Sequence, residues 1–91
     1  MALQAVEVGG DVTRCGFVTS KRLGNAVARN RVRRRLREIV RPLLPRIAPG
    51  RDLVFVARPA AARADGAALH VAVVQLLTRA RLLSPPMDIA G

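Results

Sequence analysis

A chain of 91 residues has room for one domain and not two. Its 51% apolar content supports a modest aliphatic core, but two Phe with no Trp or Tyr argue against a broad aromatic platform for splayed bases. Lys and Arg number 16 against 6 acids, a net charge of +10, and that excess points to a polyanionic partner.

In chain order, Ala2–Val8 reads as a short strand that reaches a turn at Gly9–Asp11, and Thr13–Lys21 reads as a second strand. The intervening turn predicts that these two strands pair as a hairpin. A long helix follows. Gly24 can adopt backbone angles closed to other residues, and Asn25 is a good N-cap. Val32, Leu36, Ile39, Val40, Leu43, Leu44 and Ile47 then recur at helical spacing as one apolar stripe. Arg31, Arg34, Arg35, Glu38 and Arg41 project from the opposite side, with Arg33 and Arg37 on its flanks. Pro42 and Pro45 lack amide donors and predict a kink or stop near Arg41.

Ala48–Asp52 reads as a turn, and Leu53–Arg58 as a near-continuous apolar strand of the kind found in the middle of a covered sheet. A loop from Pro59 leads to Asp65, a possible cap. A second amphipathic helix carries Leu69, Val73, Leu76, Leu77, Ala80 and Leu83. Residues 84–91 are expected to form a disordered tail, leaving a single domain over residues 1–83.

The charge is local. Nine of the 16 basic residues and a single acid, Glu38, lie between Lys21 and Arg41. Like charges at neighbouring helical positions repel by a few tenths of a kcal/mol per pair, on the order of 0.2–0.5. A polyanion turns that strain into affinity, because each phosphate neutralised releases counterions. Arginine suits the task, since its planar fork grips two phosphate oxygens at once. A membrane surface is a weaker candidate, because it would need the apolar stripe that the core requires. A structural RNA-binding protein of the ribosome and a basic DNA-binding module both fit the charge.

Residue identity narrows the choice. "SKRLGNAVARNRVRRRLRE", Ser20 to Glu38, resembles the signature of the bacterial ribonuclease P protein subunit: Gly24, then Ala26-Val27, an Arg29-Asn30-Arg31 core, further basic residues at Arg33, Arg34 and Arg37, and a closing Arg-Glu. The likeness continues through Asp52–Ala61 and the last helix, from about Val12 to Leu83. It implies an α+β fold with a small sheet of about three strands, a long basic helix and a C-terminal helix. The basic helix would join two neighbouring parallel strands by a left-handed crossover, against the usual right-handed rule.

The resemblance also implies a function: the protein subunit assists a catalytic RNA that removes the 5′ leader of precursor tRNA. Magnesium would be bound in that RNA and no cofactor by the protein itself. Expected partners are ribonuclease P RNA and precursor tRNA, with one protein per RNA. Lys21, Arg22, Arg29, Asn30, Arg31, Arg33, Arg34, Arg37 and Arg41 are the expected RNA-binding residues. Asn30 is the one that charge does not explain, and its amide can both donate and accept a hydrogen bond. Phe17, Phe55 and Arg58 are the candidates for the single-stranded leader, though either ring also fits a plain core position. The chain opens where the family's second strand would lie, so the usual basic N-terminal helix and first strand are expected to be missing, through a fragment, a misplaced start or a reduced leader cleft.

Other chemistries find few residues. His70 and Cys15 each stand alone, so no His/Cys metal cluster and no internal disulfide can form. The six carboxylates are scattered, with no pair or triad visible by spacing. No apolar run approaches the ~20 residues of a membrane span, and no signal peptide is visible. A cytoplasmic location is expected.

Overall fold

A three-stranded mixed sheet carries two helices in this computed structural model, which describes residues 1–85. The strands are β1 (Ala2–Glu7), β2 (Arg14–Thr19) and β3 (Arg51–Ala57); the helices are α1 (Ala26–Val40) and α2 (Gly66–Arg79). Short 3₁₀ turns occupy Lys21–Leu23, Arg41–Arg46 and Pro59–Ala62. Of the expected tail, residues 86–91 lie outside the described residues; Ser84 donates both its backbone N–H and its hydroxyl to the Arg46 carbonyl.

β3 is the central strand, as its unbroken apolar sequence predicts. It pairs antiparallel with β1 and parallel with β2, so α1 is the crossover between parallel neighbours. The expected β1–β2 hairpin does not form. The segment between them is tied to the turn before β3 instead: Val8 and Gly9 both donate to the Gly50 carbonyl. Thr13 Oγ1 donates to the Ala48 carbonyl at 2.6 Å and accepts from Arg51 N–H at 3.2 Å. Gly50 has φ +71°, and a Cβ there would lie 2.9 Å from the Gly10 carbonyl oxygen, so only glycine lets the two turns close on each other.

The core lies between one sheet face and the helices. Along β3, Leu53, Phe55 and Ala57 are buried while Val54 and Val56 between them are half-buried. From α1 the inward residues are Val32, Leu36 and Val40; from α2 they are Leu69, Val73 and Leu77. Ile39 is half-buried, and Leu44, expected in the stripe, is 41% exposed because the helix has given way to a 3₁₀ turn by that point. Pro42 and Pro45 place that change where expected. The helices start alike: Asn25 Oδ1 accepts from Ala28 N–H at 2.9 Å, and Asp65 Oδ1 from Ala68 N–H at 2.8 Å. α2 ends in a Schellman motif, in which Leu82 N–H reaches the Leu77 carbonyl and Arg81 N–H the Thr78 carbonyl. That motif puts Arg81 at φ 59°, a conformation normally given to glycine.

Candidate nucleic-acid interface

With its apolar stripe turned to the sheet, α1 has one orientation available, and its arginines take the remaining surface. Arg31, Arg34, Arg37 and Arg41 are exposed; Arg29, Arg33 and Arg35 are half-buried on the flanks. Ahead of the helix, Lys21 and Arg22 are exposed on a 3₁₀ turn anchored by buried Leu23. Gly24 follows at φ 153°, where a Cβ would meet the Ala28 Cβ at 3.0 Å, so this entry into the helix requires glycine.

Among the described residues almost nothing neutralises this surface. Among the described residues the ion pairs are Arg14–Asp52 at 3.4 Å and Arg51–Glu7 at 3.9 Å, both away from α1. Glu38 makes no ion pair with its neighbours on the helix. Arg29 Nε is buried without a hydrogen-bond partner. A buried donor left unmade costs about 1–3 kcal/mol, which an incoming acceptor that reorients the side chain can recover.

Two depressions flank the exposed arginines. One, of ≈340 Å³, lies on the outer surface of α1 between Val27, Asn30, Arg31 and Arg34. The other, of ≈250 Å³, runs between α1 and the edge strand β2. Thr13, Cys15 and Phe17 form its sheet wall; Arg37, Val40, Arg41 and Leu44 form its helix wall. Phe17 stacks on Phe55, with ring centroids 5.7 Å apart and planes 14° apart. Phe55 itself is fully buried, so the expectation that it meets a ligand is corrected: it is core, and it backs the half-buried Phe17. Arg58 is exposed just beyond β3. Burial raises the Cys15 thiol above its ordinary value, which keeps it neutral in the groove wall.

Residues that the sequence reading missed are Thr13, Cys15 and Leu44 in this groove, and Thr19, whose hydroxyl accepts from Arg33 Nη1 at 3.2 Å. Alternation along β2 would have found Cys15 and Thr19, which share a face with Phe17. Among the described residues no three His, Cys, Asp or Glu come together as metal ligands, and no helix is long and apolar enough to cross a membrane.

Sheet, helix and groove define a class: a small α+β domain that holds a polybasic helix beside an open strand edge. The family model for ribonuclease P matches residues 1–81, and the chain belongs to that protein family. A ribonuclease P protein component from Roseiflexus sp. strain RS-1 is 58% identical over 73 residues, covering 79% of this chain and 60% of that protein. One from Chloroflexus aggregans is 49% identical over 77 residues, covering 84% and 57%. Among solved structures, the ribonuclease P protein from Thermotoga maritima superposes with a TM-score of 0.77 at 30% identity, covering 85% of this chain and 74% of that one. The Staphylococcus aureus protein gives 0.73 at 30% identity, covering 81% and 67%. The chain thus spans a little under two thirds of the length of these curated relatives.

Proposed function

We propose that this chain is the protein component of a ribonuclease P ribonucleoprotein, binding its RNA and the precursor-tRNA leader during removal of that leader. The observation that carries the reading is the unneutralised arginine surface of α1, held outward by Val32, Leu36 and Val40. On this reading, Lys21, Arg22, Arg29, Asn30, Arg31, Arg33, Arg34, Arg37 and Arg41 meet the RNA subunit. The groove beside β2 takes the single-stranded leader, with Phe17 beneath a base and Arg37 and Arg41 on its phosphates. Arg58 extends the basic track past the end of β3.

The chain's own part is binding and orientation. On this reading magnesium belongs with the RNA, where it would activate the attacking water. Catalysis is likewise assigned to the RNA, with one protein per RNA and a cytoplasmic location. The family match to residues 1–81 favours this over a structural ribosomal protein, which needs only the charge.

The test is reconstitution. Bacterial ribonuclease P RNA is mixed with precursor tRNA at magnesium too low for the RNA alone, with and without the chain. Restored 5′ cleavage is expected. RNA binding without stimulation would overturn the processing role and leave the structural alternative.

A further inference from the structure

One arginine of α1 is held rather than free. Arg33 Nη1 donates to Thr19 Oγ1 at 3.2 Å, and Arg33 Nη2 donates to Asn30 Oδ1 one helical turn earlier. Among the described residues no other arginine of α1 has a side-chain hydrogen bond of this kind. Thr19 is the last residue of β2, in register with buried Ala57, so the sheet fixes where its hydroxyl lies. Asn30 and Arg33 lie on one side of α1 at a spacing of three, which makes their contact a property of the helix itself.

We propose that Thr19 is a positioning residue for Arg33, and that Thr19, Arg33 and Asn30 form a preset phosphate clamp where the outer surface of α1 meets the edge of β2. The proposal rests on the RNA-binding reading above and deepens it. A guanidinium is a flat plate with donors around its rim. Tying two of its N–H groups to a strand and to its own helix orients the plate, and the remaining donors can meet two oxygens of one phosphate. An untethered arginine loses rotamer freedom when RNA arrives; Arg33 has lost it on folding, so its contact is tighter for the same charge. Asn30 also gains a definite role. Its carbonyl is taken by Arg33, so what it offers outward is its amide N–H₂.

The test is a double-mutant cycle on the full chain, read as affinity for a bacterial ribonuclease P RNA across a salt titration, with the thermal transition of each variant as a folding control. Thr19→Val keeps the branched strand residue and removes the hydroxyl. It should weaken binding about three- to ten-fold while leaving the salt slope unchanged, because no cation is removed. Thr19→Ser should restore most of the affinity. Arg33→Ala should weaken binding further and lower the salt slope by ~0.7–0.9. In that background Thr19→Val should add nothing. An undiminished effect of Thr19→Val without Arg33 would overturn the proposal, as would a neutral Thr19→Val beside a damaging Arg33→Ala. Asn30→Ala provides a second cycle, should the strand substitution fail to fold: its effect should shrink without Arg33 but not vanish, since its own amide also faces the RNA, and an undiminished effect would count against the clamp. If neither Arg33→Ala nor Arg31→Ala with Arg34→Ala changes affinity, it is the RNA-binding reading that fails.

Discussion

α1 and α2 are built on one plan and finished differently. Each begins with an acidic or amide cap that accepts from the third residue of the helix, and each turns three buried aliphatic residues inward. Outside, α2 carries alanines, His70, Val71 at 52% exposure, Gln75, Thr78 and one arginine, Arg79. α1 carries six arginines, with Arg31, Arg34 and Arg37 exposed and Arg29, Arg33 and Arg35 half-buried on the flanks. Since α2 docks with a single arginine, Arg79 in its last turn, docking does not explain the six on α1. The inward stripes account for the fold, and the outward surfaces are free to differ with function.

That contrast can be broken at three points. The largest effect is expected inside. Leu36→Ala, at a fully buried site, should destabilise the chain by about 3 kcal/mol, read as a lower urea midpoint at unchanged slope. RNA affinity per folded molecule should barely move. A change of under about 0.5 kcal/mol would mean that the stripe does not hold the helix.

Outside, the effects should reverse. Arg31→Ala with Arg34→Ala should weaken RNA binding about ten-fold or more and lower the salt slope by ~1.5, with the thermal transition kept or slightly raised as like-charge repulsion is relieved. Gln75→Ala on α2 should leave binding alone. Loss of the thermal transition in the arginine double variant would show that those side chains support the core. The smallest effect concerns how α2 ends. Arg81→Gly removes a side chain from a left-handed position and should stabilise by about 1 kcal/mol, seen as a rise in Tm; a fall would mean that the arginine itself makes a contact worth more than the strain.

Much of this contrast was legible in the sequence because both helices advertise themselves locally. The stripe Val32–Leu36–Val40, the caps Asn25 and Asp65, the stop before Pro42 and the central strand around Phe55 each follow from residues a few positions apart. What sequence reading missed depends on distant partners. The pairing of β1 with β3 joins Leu3 to Phe55, and no local signal favours it over the hairpin that the glycines of residues 9 and 10 suggest. The hydroxyl bonds of Thr13 are formed across 35 and 38 residues, and they decide the matter. Phe55 failed as a ligand candidate for a related reason, since a ring on a central strand is covered by whatever both helices bring to it. The surface was easier to read than the groove: charge is visible residue by residue, whereas a groove exists only once β2 and α1 have been set side by side.

The order of the sheet bears on how the chain is made. Among the described residues β1 and β2 do not pair; each has only β3 for a neighbour, and β3 arrives after both of them and after the whole of α1. A nascent chain synthesised as far as Gly50 therefore has two unpaired strands and a polycationic segment with no sheet to lie on. Closure waits for seven residues, Arg51–Ala57, and then engages both strands at once. Until that strand is made, there is no sheet among the described residues to hold the arginine helix outward.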